Sequence, residues 1–96
     1  MIRSVKISVP DKVLAKLPQA VLVRLRAWVA NVEENGLEAV RKIPGLHDEP
    51  LKGKRAGQRS IRLGKAYRAI YVIGQEVVEL KTIEFANVTE VHKHRY

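Results

Sequence analysis

Several side chains of this 96-residue sequence have the types and the order needed for acid–base chemistry on a phosphate. Glu49 places a carboxylate in a polar stretch. Arg62 and Arg68 follow it, with Lys52, Lys54, Arg55 and Arg59 between or beside them. His92, His94 and Tyr96 stand at the end of the sequence. Such a set suits metal-free cleavage of RNA. There the ribose 2′-OH attacks the adjacent phosphate and the next 5′-oxygen leaves. The reaction needs a base for the 2′-OH, cations for the charge that builds on the phosphorane, and an acid for the leaving oxygen. Arginine grips phosphate with a planar fork that stays charged. Histidine is the side chain that titrates near neutral pH.

Each residue also has a plainer role. Glu49 could pair with Lys52 on a loop surface. Arg68 could be a surface charge beside a core-facing Tyr67. His94 and Tyr96 could be an ordinary chain end. Other chemistries find little support. There is no phosphate-binding glycine loop, no HExxH and no GxSxG. His92 and His94 would share a face on a strand, but no third ligand stands out, so neither a metal nor another cofactor is expected. Cysteine is absent, which excludes disulfides and thiolate metal sites.

Charge carries the strongest compositional signal. Eighteen Lys/Arg against ten Asp/Glu give a formal net charge of +8. Residues 41–68 hold nine of the basic residues (Arg41, Lys42, Lys52, Lys54, Arg55, Arg59, Arg62, Lys65, Arg68) and only Asp48 and Glu49 as acids. That segment therefore carries nearly all of the excess. A polyanion, most simply nucleic acid, is the expected partner, with an acidic protein as the rival. No stretch approaches a membrane span, and the N-terminus lacks the apolar run of a signal peptide. The expectation is a cytoplasmic protein with no membrane partner.

The elements that must position these residues can be read from periodicity. Val5, Ile7 and Val9 alternate with Lys6 and Ser8, which predicts a strand over 2–9. A short helix over 11–17 is stopped by Pro18. Val21, Leu25, Trp28 and Val32, widened by Leu22 and Val29, form the apolar stripe of a helix over 19–34, and Asn35-Gly36 ends it. A further turn or two is expected over 37–43, then a polar loop over 46–57. Ile61 and Leu63, then Tyr67, Ala69 and Tyr71, predict a hairpin. A three-residue turn at 64–66 sets Leu63 against Tyr67 and Ile61 against Ala69. It also puts Arg62 opposite Arg68 on the other face. A last strand covers 77–85. The fold class is α+β in one domain over 1–96: an N-terminal strand, two helices on one face of an antiparallel β-meander, and a short C-terminal tail.

The ordered set resembles the RelE/ParE toxin superfamily. The carrying residues are Glu49-Pro50-Leu51-Lys52, then Arg62, then Tyr67-Arg68-Ala69-Ile70-Tyr71, then the terminal His94 and Tyr96. The spacing from Glu49 to Arg68 is similar to the YoeB branch. Gly53-Lys54, Gly57 and Ser60-Ile61-Arg62-Leu63 are similar to the HigB and RelE branches. The resemblance covers residues 46–96 by motif and the first half by layout. It implies a toxin that cuts mRNA in the ribosomal A site. Its partners would be a cognate antitoxin and the ribosome, with operator DNA reached only through the antitoxin. It implies Glu49 as general base, Arg68 as phosphate stabiliser, and Lys52, Lys54, Arg55, Arg59 and Arg62 as RNA-positioning cations. His94 would be the general acid and Tyr96 its orienting group. Arg95 separates His94 from Tyr96, where the YoeB branch has the two adjacent, so His92 is a rival acid. A gyrase-inhibiting ParE-like toxin and a non-catalytic RNA-binding module are the alternatives.

Overall fold

A computed structural model describes residues 1–86 of the chain. Its strands are β1 (Ser4–Ile7), β2 (Glu49–Pro50), β3 (Gln58–Arg62), β4 (Tyr67–Ile73) and β5 (Val77–Phe85). Its helices are α1 (Asp11–Ala15), α2 (Gln19–Asn35) and α3 (Leu37–Val40). Single 3-10 turns lie at Pro44–Leu46 and Gly53–Arg55. The five strands form one sheet in the order β1-β5-β4-β3-β2.

The α2 stripe does what its spacing predicts. Val21, Leu25, Trp28 and Val32 are buried, while Leu22 and Val29 are half-buried at the flanks. The helix ends at Gly36, whose φ of +86° an L-residue would resist and whose N–H bonds Val32 O at 2.8 Å. From the sheet, Ile61, Leu63, Ala69, Tyr71, Val78, Leu80 and Ile83 meet that stripe, and Leu37 and Val40 of α3 close one end. The β3–β4 hairpin has the expected register: Ile61 pairs with Ala69 and Arg62 with Arg68.

Three features depart from a plain meander. The N-terminal strand is shorter than expected, and β1 runs parallel to β5, so the sheet is mixed. The two α-helices α1 and α2 supply the crossover that parallel pairing needs before the chain re-enters the sheet. The polar loop is also not wholly irregular. Glu49 and Pro50 pair with Ser60 and Arg59 as a two-residue edge strand. An edge is where proline, lacking an N–H, is tolerated. Finally, the pairing of β4 with β5 slips between Ile70 and Tyr71, whose partners are Thr82 and Leu80. Lys81 is the extra residue. Without that bulge, strict alternation would send Leu80 and Ile83 to opposite faces; with it, both enter the core.

One polar cluster lies beneath the helix layer. The Asp48 side chain is fully buried. Its Oδ1 accepts from Arg59 Nε at 2.7 Å and its Oδ2 accepts from the Tyr71 hydroxyl at 2.5 Å. Burial, then the Asp48 carboxylate, pushes the Tyr71 hydroxyl well above its ordinary pKa. The Tyr71 ring packs on Trp28 with centroids 5.3 Å apart. This cluster ties the segment before β2 to the middle of the sheet. Removing one partner of a buried ion pair strands the other, at a cost of about 3–5 kcal/mol. We expect Asp48→Ala to lose about that much in urea unfolding. Tyr71→Phe, which leaves the ion pair intact, should lose about 1.5–3 kcal/mol for a bond to a charged group. An Asp48→Ala midpoint close to wild type would show that the cluster carries no stability.

Candidate functional site

Residues directly opposite in a sheet point to the same face, and so do residues two apart on one strand. Arg62 pairs with Arg68, and Arg68 pairs with Glu84, so these three form one row across β3, β4 and β5. Glu49, Ser60, Ile70 and Thr82 form the neighbouring row. Both rows lie opposite the face of Ile61, Ala69 and Ile83, which is packed against the helices. Glu49, Arg62 and Arg68 therefore share the face that no helix of the described residues covers.

That face is not bare. Ile70 is fully buried on it and Ser60 nearly so. The 51–57 segment folds back here: Leu51 N–H bonds Gln58 O at 2.8 Å, and Arg55 Nε donates to Gln58 Oε1 at 3.2 Å. Arg55 then reaches Glu84, two strands beyond β3. Adjacent strands lie roughly 4.8 Å apart, so the Gly53–Arg55 turn must sit over the sheet for this to happen. Among the described residues, the face is partly roofed by the 51–57 segment, whose Arg55 reaches the Arg68–Glu84 end of the row.

Glu84 binds two guanidiniums at once. Its Oε1 accepts from Arg55 Nη1 at 2.9 Å, from Arg68 Nε at 2.9 Å and from Arg68 Nη2 at 2.7 Å. Its Oε2 accepts from Arg55 Nη2 at 3.2 Å. The Arg55 hydrogen bond, opposed by partial burial and reinforced by Arg68, holds the Glu84 carboxyl below the usual carboxylate range. Like charges directly opposite on a sheet repel, as Arg62 and Arg68 do. Glu84 on the far side of Arg68 offsets that repulsion. Sequence reasoning missed Glu84. Its only signal was a carboxylate at an outward position of the last strand, opposite an arginine whose register depends on the Lys81 bulge.

The other expected positions divide. Lys52 and Lys54 are exposed on the folded-back segment. Arg55 and Arg68 meet at Glu84. Arg59, expected among the RNA-positioning cations, instead shares the helix-side face with Ile61 and Leu63 and is committed to buried Asp48. Arg62 and Arg59 are three apart on one strand, so they face opposite ways. His92, His94 and Tyr96 lie outside the described residues. The described chain ends at Ala86, whose N–H bonds Ala66 O at 2.7 Å in the hairpin turn, beside the Arg62–Arg68–Glu84 row.

No protein-family model and no curated protein sequence matches the chain. Solved structures do. The RelBE2 toxin–antitoxin complex of Mycobacterium tuberculosis matches over 90% of this chain and 100% of that one, with TM-score 0.63 and 22% identity. YafQ from E. coli strain BL21(DE3) matches over 91% and 97%, with TM-score 0.69 and 13% identity. The YoeB–YefM complex of Staphylococcus aureus matches over 85% and 97%, with TM-score 0.63 and 14% identity. At such identities the likeness is one of fold: this chain has the fold shared by RelE-like toxins.

The Glu84 carboxyl has a lowered folded-state pKa, so its pairing stabilises the protein above the ordinary carboxylate range. That contribution fades as pH falls through the ordinary value of about 4.3 and on through the lowered one. Glu84→Gln should therefore lower the urea midpoint near pH 6. The gap from wild type should close as the pH approaches 3. A gap that is constant with pH would mean that the carboxylate charge is not what the arginines use.

Proposed function

We propose that this chain is the toxin of a toxin–antitoxin pair and acts as a ribosome-dependent, metal-independent endoribonuclease on mRNA. The observation that carries the reading is the Arg62–Arg68–Glu84 row, with Arg55 bridged onto it and Glu49 on the same sheet face. Two of the similar structures are toxin–antitoxin complexes, which supports a cognate antitoxin as partner. An acidic antitoxin segment would find its long-range attraction in the basic 41–68 region. Operator DNA would be reached through the antitoxin.

In this mechanism Glu49 takes the proton of the 2′-OH, which then attacks the adjacent phosphorus. The P–O5′ bond breaks, leaving a 2′,3′-cyclic phosphate. Arg68 bears on the non-bridging oxygens, where negative charge accumulates. It must turn from Glu84 toward the phosphate to do so, and Arg55 and Arg62 remain beside it. Lys52 and Lys54 hold the RNA backbone at the folded-back segment. His94 protonates the leaving 5′-oxygen and Tyr96 orients it. RNA carries its own nucleophile, so no metal-activated water is needed. The A site would supply the remaining geometry by presenting the strand to the sheet.

Removing a general acid or base typically costs on the order of 10²–10⁴ in rate. In single-turnover cleavage of ribosome-bound mRNA, Glu49→Gln, Arg68→Ala and His94→Gln should each fall by roughly this much, while ribosome binding persists. His92→Gln should be milder, because His94 is the histidine paired with Tyr96. A dead His92→Gln beside an active His94→Gln would transfer the acid role. Full cleavage by Glu49→Gln and Arg68→Ala would overturn the mechanism. So would cleavage abolished by EDTA with ribosomes intact. Growth arrest with no new mRNA 5′ ends, together with inhibited gyrase, would favour the ParE-like alternative.

A further inference from the structure

Asp48 and Glu84 both hold arginine forks, and they differ in what can reach them. The Asp48 side chain has no exposed surface and pairs with Arg59 beneath the helix layer. Glu84 keeps 31% of its side-chain surface exposed, and its partners Arg55 and Arg68 keep 37% and 23%. Dissolved anions therefore reach the Glu84 cluster and do not reach Asp48.

Within that cluster the carboxylate is well supplied with donors. Oε1 takes three guanidinium N–H groups and Oε2 takes one, at 2.7–3.2 Å. A phosphodiester makes the same demand. Its two non-bridging oxygens share one negative charge, and both accept from planar forks. Glu84 thus fills the two forks in the manner of a phosphate. Replacing it does not require the backbone to move. The 51–57 segment stays joined to β3 through the pairing of Glu49 and Pro50 and the Leu51 N–H bond to Gln58 O, and neither involves Glu84. Two long side chains need only swing.

We propose that Glu84 is a positioning residue that stands in for the RNA phosphate: it keeps Arg55 and Arg68 aimed at one point, yields both to the strand, and denies them to isolated anions. The denial follows from tethering. A dissolved anion must displace a carboxylate that the same sheet holds beside the forks, at a high effective concentration. An RNA strand brings several phosphates, and Lys52 and Lys54 are exposed on the segment that carries Arg55. Its contacts are tethered to one another, which offsets the loss of Glu84. The inference rests on the RNA-cleaving reading for the identity of the anion, and it adds a residue that decides which anions enter.

The wild-type protein provides the first test. A 2′-O-methyl trinucleotide, which cannot be cleaved, should shift the Glu84 Cδ and the Arg55 and Arg68 Nε resonances of the full-length chain saturably and together. A Glu84 Cδ signal unmoved at saturation would overturn the proposal. Glu84→Gln keeps the shape and removes the charge. It should tighten trinucleotide binding about fivefold, the upper end of what a part-exposed ion pair is worth. A purely structural role for Glu84 implies weaker binding instead, and that result would overturn the proposal too. Glu33→Gln removes an equal charge from the exposed side of α2 and should change the Kd by less than about twofold. Equal tightening by both variants would mean that net charge alone acts. At constant ionic strength, inorganic sulfate at about 10 mM should displace the trinucleotide from Glu84→Gln and hardly from wild type. Equal displacement from both would refute the exclusion of isolated anions. The ribosome assay separates the two readings. Cleavage by wild type with no Glu84 shift removes the role of Glu84 alone. A Glu84 shift with tightening by Glu84→Gln, but no cleavage by wild type, removes the nuclease reading and leaves an RNA site gated by its own carboxylate.

Discussion

The buried carboxylate of Asp48 is the constraint on which the arrangement of the candidate site depends. A charge with no solvent contact must be paired, and here Arg59 and Tyr71 do it. Arg59 comes from the outer part of the sheet and Tyr71 from its centre, so the pairing fixes the segment before β2 against both. Glu49 is the next residue. Its place at the sheet edge is a consequence of where Asp48 must sit. The same tyrosine ring packs on Trp28, which carries the constraint into α2. A chain this short buries a small core, and a hydrogen-bonded polar cluster gives that core a single arrangement.

A second constraint is electrostatic. The sequence puts a large positive excess into residues 41–68, and the hairpin register then sets Arg62 directly opposite Arg68. Compact folding of such a segment is opposed by its own charge. The structure meets this with two carboxylates placed differently. Asp48 pairs with Arg59 inside. Glu84 neutralises Arg55 and Arg68 at a half-exposed surface, where a stronger anion can compete for the same forks. Phosphate is such an anion, since its oxygens meet two guanidiniums at least as well as one carboxylate does.

Much of the scaffold was legible in the residues. The α2 stripe, its stop at Gly36, the strand over 77–85 and the three-residue hairpin turn all follow from local patterning, which one buried face enforces strongly. The hairpin pattern also places Arg62 and Arg68 on one face. Less legible were features that depend on distant partners. The parallel pairing of β1 with β5 joins residues more than seventy positions apart. The Lys81 bulge exists because both Leu80 and Ile83 are drawn into the core, a demand that no window of β5 alone expresses. Glu84 and Asp48 look like any surface acid until that register is known. Arg59 looked like one more cation of the basic run because its direction depends on the β3 phase.

That phase divides the labour of the domain. Along β3 and the residue that follows it, Arg59, Ile61 and Leu63 turn toward the helices, while Gln58, Ser60 and Arg62 turn away. A register slip of one residue would exchange the two sets, exposing isoleucine and leucine and driving Arg62 beneath α2. The free-energy penalty for burying an unpaired guanidinium there makes such a slip prohibitive. The stability of the inner face therefore guarantees the orientation of the outer one. It also explains how a chain of this size can keep a cluster of like charges aimed at a single surface. The cations are not held in place by contacts with one another. Their direction is fixed by the apolar and ionic partners of their neighbours on the same strands, and Glu84 then gathers Arg55 and Arg68 on that surface.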